Sequence, residues 1–370
     1  MIYLDHAAAT PVRKEALKAM LPYFSESYGN PNSYHELGKN AREAVEKARV
    51  SIAQKLNARF PEEIIFTGSG TESVNLALQG IAKAYQKKGN HIITCKTEHK
   101  AVLETCKALE KQGFKVTYLD VDKKGLPNLA ELEKAITKKT TLISIMYVNN
   151  ETGVIQPIQK IVSLAKKYRV LFHTDACQAV YQLLDVQELG VDLLTMNGSK
   201  VYGPKGIGLL YKKKEVLLQP LIHGGSQESG FRSGTENVPG IVGFAAALQS
   251  SLDGKKLSQL QQSFERELLK ISKTKINGGQ HSPHITNVTF SGVDAETLLH
   301  YLDSKRIYAS AGSACTAGVQ EPSHVLRAMG ISEKEARSTV RFSFGKDTTK
   351  AELKMVVKAV KEIVGSLRKI

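Results

Sequence analysis

Ile64-Ile65-Phe66-Thr67-Gly68-Ser69-Gly70-Thr71-Glu72-Ser73 passes from an apolar run through a glycine-rich turn straight into a segment of helical spacing. Strand, turn and helix in that order form the unit of an α/β fold. The turn also has chemical meaning. Unpaired amides and the positive end of the helix point at one spot, and glycine allows an anion to approach closely. The helix dipole contributes only about 0.3–1 kcal/mol, so affinity for a phosphate must come mainly from several amide and hydroxyl bonds. The stretch lacks the lysine of a nucleoside-triphosphate loop and the spacing of a dinucleotide fingerprint.

The same alternation extends in both directions. Strand-like runs are expected at Ile64 to Phe66, His91 to Thr94, Val116 to Leu119, Thr141 to Val148, Val170 to His173, Val191 to Met196 and Ile207 to Tyr211. Helical spacing covers Glu72 to Lys87, Ala101 to Gln112, Leu129 to Thr137 and Ile158 to Tyr168. These segments imply a largely parallel sheet covered on both faces. After about residue 245 the pattern changes to a polar helix around Leu257 to Ile271, then Ile285 to Phe290, Val293 to Leu302, Ile307 to Ala311 and Val340 to Phe344. This is expected to form a smaller α+β domain, closed by a helix from Lys350 to Leu367.

A chain of 370 residues that is 42% hydrophobic should bury a large interior. No apolar run reaches membrane-spanning length, and structured sequence begins at once with Met1-Ile2-Tyr3-Leu4-Asp5, so a cytoplasmic protein is expected. Cys95, Cys106, Cys177 and Cys315 are scattered, which favours reduced thiols over a disulfide framework. Cys95 and His99 lack two further ligands at zinc spacing, so no metal is expected. The net charge of +15 is spread along the chain in short lysine clusters. It reads mainly as solvated faces, with an acidic protein partner or RNA as the alternatives, and no direct nucleic-acid binding is expected.

Two further stretches complete a constellation with the anion turn. Val170 to Gln178 places Asp175 at the carboxyl end of a strand, where open α/β sheets bind ligands, and Gln178 within reach of the same ligand. Thr195-Met196-Asn197-Gly198-Ser199-Lys200-Val201-Tyr202-Gly203-Pro204 holds Lys200 between a buried strand and a glycine-proline turn. In that order they suit pyridoxal phosphate: the turn for its phosphate, Asp175 for the pyridinium nitrogen and Lys200 for a covalent link to its aldehyde. A charge-assisted bond from Asp175, worth roughly 1.5–3 kcal/mol, keeps the ring protonated and able to accept electrons from a substrate Cα. A free lysine, with pKa about 10.4, is almost wholly protonated at pH 7, and attachment to the cofactor removes that obstacle.

His99, past another strand end, is placed to stack on the cofactor ring and act as acid or base. Asn150 is a candidate for the substrate carboxylate or the ring oxygen. Arg341, a charge inside an apolar strand, needs an anionic partner and suits a carboxylate. Cys315 lies in Ala309-Ser310-Ala311-Gly312-Ser313-Ala314-Cys315-Thr316-Ala317-Gly318, a run of small residues unlike the surroundings of a buried structural thiol. A free thiol, with an ordinary pKa of about 8.5, is already a few per cent thiolate at pH 7, so Cys315 is a candidate nucleophile on a loop able to move.

At this point the chain resembles the cysteine desulfurases, fold-type I pyridoxal-phosphate enzymes of the class V aminotransferase superfamily, essentially end to end. The resemblance rests on Ile2-Tyr3-Leu4-Asp5-His6-Ala7-Ala8-Ala9-Thr10-Pro11, Tyr28-Gly29-Asn30-Pro31, Thr71-Glu72-Ser73, Glu98-His99, Asn149-Asn150-Glu151 and Asp175-Ala176-Cys177-Gln178. It continues in Lys200 to Gly206, Arg232-Ser233-Gly234-Thr235, Gly312-Ser313-Ala314-Cys315-Thr316, Glu321-Pro322-Ser323-His324-Val325-Leu326 and Arg341-Phe342-Ser343. The last motifs resemble the group that serves iron–sulfur-cluster assembly and tRNA thiolation.

The resemblance implies a large domain, residues 11–245, with a mostly parallel seven-stranded sheet, and a small domain of 1–10 with 246–370 that carries the cysteine loop. L-cysteine would be converted to L-alanine, Lys200 moving the Cα proton and Cys315 attacking the substrate sulfur to become a persulfide for an acceptor protein. Gly70 and Thr71 would hold the phosphate, Gln178 the phenolic oxygen, and Asn150 with Arg341 the substrate carboxylate. Thr235 would add a phosphate contact from the neighbouring subunit of a homodimer. Asn197 and Ser199 stand where the family usually has serine and histidine, and both retain donors for the phosphate. The alternatives are a selenocysteine lyase or another class V activity, and a non-catalytic sulfur-trafficking or RNA-binding protein.

Overall fold

The computed structural model describes residues 1–182, 184–250, 252–312 and 322–369. Its strands are β1 (Ile2–Tyr3), β2 (Ile64–Thr67), β3 (His91–Cys95), β4 (Lys115–Leu119), β5 (Thr140–Ser144) and β6 (Leu171–Asp175). They continue with β7 (Leu193–Asn197), β8 (Gly208–Lys212), β9 (Thr274–Ile276), β10 (Ile285–Phe290), β11 (Ile307–Tyr308) and β12 (Thr339–Ser343). Seven of them form the main sheet in the order β2-β8-β7-β6-β5-β3-β4. The run from β7 through β6, β5 and β3 to β4 is parallel, and β8 is antiparallel to both of its neighbours.

Both faces of this sheet are covered, which is why its strands read as continuous apolar runs. Successive residues alternate between two buried clusters. Ile64, Phe66, Leu194 and Met196 join the core on one face, and Ile65, Leu193 and Leu210 join the core on the other. Each such side chain contributes about 1.5–3 kcal/mol by leaving water. The expected strand from Thr141 to Val148 stops pairing regularly at Ser144, although the Ile145 and Tyr147 N–H groups still donate to His173 and Asp175 carbonyls.

Two long helices lie outside the expected set. The helix Glu36–Lys55 buries Ala41, Ala44, Val45, Ala48 and Ile52, a stripe of small residues with little hydropathic contrast. The helix Val238–Gln249 is apolar nearly all round because it is packed on several sides, so it shows no amphipathic period. Gly243 lets the helix Lys14–Met20 come close, since a Cβ there would meet the Met20 Cγ at 2.5 Å.

After residue 250, β12, β10 and β9 form an antiparallel sheet, and β1 from the chain start pairs in parallel with β11. Ile2, Leu4, Phe264, Leu298, Phe342 and Val360 share one buried cluster there. The closing helix spans Lys350–Leu367, as expected, and buries Leu353, Val356, Val360 and Val364 at helical spacing. Among the described residues no helix is long and apolar enough to cross a membrane.

Candidate active site

A cavity of about 120 Å³ opens at the carboxyl ends of the parallel strands, where the sheet order places loops from both sides. Its lining includes Gly70, Thr71, His99, Asn150, Asp175, Gln178, Asn197, Lys200 and Arg341, together with Ala7, Ala8, Met146, Val148 and Cys177. Nine residues singled out from the sequence therefore meet at one place. Ser199 and Thr235 are not in this lining.

The anion turn is built as its sequence suggests. Ser69 caps the helix Gly70–Ala84, its hydroxyl accepting from the Glu72 N–H at 3.1 Å. The Glu72 carboxylate in turn accepts from the Gly68 N–H at 2.9 Å. The amides of Gly70 and Thr71, in the first turn, have no intrahelical acceptor, and both residues line the cavity. Gly70 itself is tightly enclosed: a Cβ would come within 2.9 Å of the Cys177 Sγ and 3.3 Å of the Asn197 Cβ. Only a residue without a side chain leaves this floor open.

Asp175 ends β6 and is nearly buried, and its carboxylate accepts from the Cys177 N–H at 3.0 Å. Residues 177 and 178 form a turn, so Gln178 reaches the cavity through a turn and not along a helix. The Gln178 amide donates to the Ala7 carbonyl at 2.8 Å, and its oxygen lies 3.2 Å from the His284 Nε2. Burial, and to a lesser degree the Asp175 charge, push the Cys177 thiol well above its ordinary range and keep it protonated.

Lys200 follows β7 on a single helical turn, Gly198–Lys200. Its amine donates to the Ala8 carbonyl. Asn197 caps this turn, its side-chain oxygen accepting from the Ser199 N–H at 2.8 Å and the Ser199 hydroxyl at 2.9 Å. That bond engages the Ser199 hydroxyl with Asn197, which does line the cavity. Tyr202, two residues on, takes a left-handed φ of 64°, held by its N–H donating to the Thr10 Oγ1 at 2.8 Å. Such a backbone costs about 1–3 kcal/mol and persists only where neighbours over-determine it.

His99 caps the helix Lys100–Glu110, its Nδ1 accepting from the Ala101 N–H at 3.1 Å. Burial lowers its pKa, outweighing the nearby Asp175 charge. A neutral ring with Nδ1 as acceptor carries its proton on Nε2. Arg341, from the middle of β12, is 2% exposed. One terminal nitrogen donates to the Asn150 carbonyl at 2.7 Å and the other to the Asp5 carboxylate at 2.8 Å, while its Nε is buried without a protein acceptor among the described residues. Arg341 therefore lines the cavity while its terminal nitrogens are held by Asn150 and Asp5.

The N-terminal stretch does more than the residue-by-residue reading foresaw. Asp5 pairs with Arg341, Ala7 receives Gln178, Ala8 receives Lys200, and the Thr10 N–H donates to the Ser199 carbonyl at 2.9 Å. The available signal was the motif Asp5-His6-Ala7-Ala8-Ala9-Thr10 itself, since these contacts use its backbone groups and one short acidic side chain.

Cys315 lies outside the described residues. Both flanks of its segment are tied to the site: Ser310 exchanges two backbone bonds with Arg341 at 2.7 and 3.2 Å, and the His324 Nε2 lies 2.9 Å from the Glu98 carbonyl, next to His99. The Ser323 hydroxyl donates to the Glu151 carboxylate.

Two free amides above a side-chain-free floor, a lone carboxylate, an amine and a neutral imidazole are the donor set that pyridoxal phosphate requires. The family model for class-V aminotransferases matches residues 2–356. The cysteine desulfurase IscS of Dictyoglomus turgidum is 46% identical over 100% of this chain and 96% of its own length. That of Methanosarcina thermophila is 48% identical over 99% and 93%. Among solved structures, a NifS-like protein matches with a TM-score of 0.93 and 38% identity over 99% of both chains. SspA in complex with cysteine matches with a TM-score of 0.85 and 40% identity over 94% of this chain and 100% of that one. Full-length identity at this level, on the same fold and with this donor set, means that the chain belongs to the cysteine desulfurases, pyridoxal-phosphate enzymes of the class-V aminotransferase family.

Proposed function

We propose that this chain takes sulfur from L-cysteine, leaves L-alanine, and passes the sulfur from Cys315 to an acceptor protein. The observation that carries the reading is the single cavity that collects His99, Asp175, Gln178, Lys200, Asn150 and Arg341 around the free amides of Gly70 and Thr71. Pyridoxal phosphate, when bound, supplies an aldehyde for the substrate amine and a ring that takes up electrons from the substrate Cα. The phosphate would lie on the Gly70 and Thr71 amides with Asn197 beside it. Thr235 would reach it from a second copy, and Ser199 would act through the Asn197 side chain that it holds.

Asp175 would keep a proton on the ring nitrogen, and Gln178 would reach the phenolic oxygen with its second N–H. Lys200 holds and returns the Cα proton from its amine, which the Ala8 carbonyl orients. His99, neutral and with its proton on Nε2, would stack on the ring and give or receive a proton there. Arg341 and Asn150 fix the substrate carboxylate. The Cys315 thiolate attacks the substrate sulfur: an S–S bond forms and the Cβ–S bond breaks. The released electron pair stays with the alanyl fragment, which takes up a proton to become L-alanine, and Cys315 retains the persulfide.

A homodimer is part of the same reading. Leu21, Phe24, Tyr28 and Tyr34 are 56, 60, 66 and 91% exposed in the single chain, with Val12, Leu17 and Leu37 also exposed in this short segment. An apolar surface so concentrated favours association of two copies. The division into a large domain, 11–245, and a small one, 1–10 with 246–370, is supported by the separate buried cluster that joins Ile2 and Leu4 to residues after 250. On this reading the acceptor works in the cytoplasm, in iron–sulfur-cluster assembly or tRNA thiolation.

Replacing Cys315 by serine is the direct test. Cofactor absorbance and dimer mass should persist, while cysteine-dependent alanine formation falls by about the 10²-fold or more expected of a lost nucleophile. Turnover at the original rate would remove Cys315 from the reaction.

A further inference from the structure

The segment 226–235 bends through an unusual backbone. Glu228 and Ser229 have φ of 48° and 56°, and Gly230 follows at 81°, so two successive residues with side chains lie in the left-handed region. That conformation is unfavourable for each of them and needs outside support. The support is a buried ion pair. The Arg49 guanidinium donates to both Glu228 carboxylate oxygens at 2.8 Å, one nitrogen to each. The same carboxylate accepts from the Phe66 N–H of β2 at 2.7 Å, and Arg49 donates to the Ile64 carbonyl at 2.7 Å. A fork-to-fork bond fixes direction as well as distance.

Further bonds carry this fixation along the segment. The Arg232 Nε donates to the Glu72 carboxylate at 2.9 Å, on the helix that supplies the anion turn. The Ser233 hydroxyl donates to the Gly225 carbonyl at 2.7 Å, and the Gly234 N–H to the Gln227 side chain at 3.1 Å. Gly224, Gly225 and Ser226 at its start are exposed, and Phe231 is the side chain of the segment that packs on the apolar core, so polar bonds hold most of its course. Thr235 at its end is exposed and lines a different cavity of about 230 Å³, together with Thr67 and Gly68.

We propose that the Arg49–Glu228 pair is a positioning device that sets the bend of 226–235 and thereby presents Thr235 to the phosphate site of a second copy of the chain. The proposal rests on the reading of Thr235 given above. Arg49 belongs to the helix Glu36–Lys55, whose first turn carries the exposed Leu37, so one rigid element ties the bend to the surface on which the second copy would sit.

The test uses the double variant Arg49→Met/Glu228→Gln, which removes both buried charges and leaves an acceptor for the Phe66 N–H, with Thr235→Ala and Lys200→Ala in parallel. Cofactor affinity is read by titrating the cofactor-free protein with pyridoxal phosphate, beside its melting temperature and mass. The double variant should remain folded and dimeric yet bind pyridoxal phosphate about tenfold more weakly, as Thr235→Ala does, the size of one lost charge-assisted bond. Mixed with Lys200→Ala subunits, it should regain tight, competent sites at about one site in four, because each mixed dimer combines an intact bend with an intact Lys200 in one site.

Weak binding by Thr235→Ala with wild-type affinity in the double variant overturns the positioning role alone. Unchanged affinity in Thr235→Ala overturns the reading of Thr235, and the proposal with it. Weak binding that mixing does not rescue places the defect within one chain and also overturns the proposal. Should the double variant not fold, Glu228→Gln alone is put through the same titration and mixing, with the same outcomes deciding.

Discussion

His173 sits between β5 and β7, its Nδ1 2.9 Å from the Ser144 hydroxyl and its Nε2 3.0 Å from the Thr195 hydroxyl. Burial pushes its pKa down to about 4, against a small opposing pull from Asp175. His284, buried under Gln178, is pushed down to about 3 by burial first and by His6 and Arg341 next. Both folded values lie below the ordinary value of about 6.5, so on acidification the unfolded chain binds protons that the folded chain does not. Stability contributed by these two residues is complete above about pH 6.5 and declines as pH falls toward 4 and 3. Urea midpoints at pH 7.5 and 5 should show the loss, and His173→Gln should make the dependence shallower.

Gly70 gives a second prediction at this scale. Gly70→Ala would press a methyl on the Cys177 Sγ at 2.9 Å, costing about 1–3 kcal/mol of stability by overpacking, and should weaken pyridoxal-phosphate binding. Adding Cys177→Ala should recover part of both, read by melting temperature and titration.

At the scale of elements, two helix starts separate cofactor binding from folding. Thr349 and Glu352 form a capping box on the closing helix, with the Thr349 N–H donating to the Glu352 carboxylate at 2.8 Å. Thr349→Ala should cost about 1 kcal/mol and leave cofactor affinity unchanged. Ser69→Ala, at the start of the helix Gly70–Ala84, should cost a similar amount and also weaken cofactor binding, because that cap orients the Gly70 and Thr71 amides. Denaturation midpoints and cofactor titrations on both variants make the comparison. Elements with a clear period were legible beforehand, and the closing helix had its stated bounds. The helix Val238–Gln249 was not, since burial on several sides erases the contrast that a period needs.

At the scale of the whole molecule, the dimer proposed above would use the exposed apolar side chains between Val12 and Leu37, and its sites would depend on association. Phe24→Glu should shift the sedimenting mass toward a monomer and weaken cofactor binding, whereas Tyr301→Glu, half exposed and outside this segment, should leave the mass unchanged. Equal mass for Phe24→Glu and wild type would remove this segment from the interface.

Local sequence was enough to name the cofactor: a helix start with free amides, a strand-end carboxylate and a turn-held lysine are properties of a few adjacent positions. Their membership in one cavity followed from the sheet order, which sets the ends of β2, β3, β5, β6 and β7 on one side of the sheet. Tertiary structure alone decided the pairing of Asp5 with Arg341, the hold of the Ala8 carbonyl on Lys200, and the bond from Arg49 to Glu228 across 179 positions. These contacts join segments with no periodic signal. Their partners are chosen by which buried polar groups must be satisfied once the sheet and helices have packed, and no window of neighbouring residues contains that requirement.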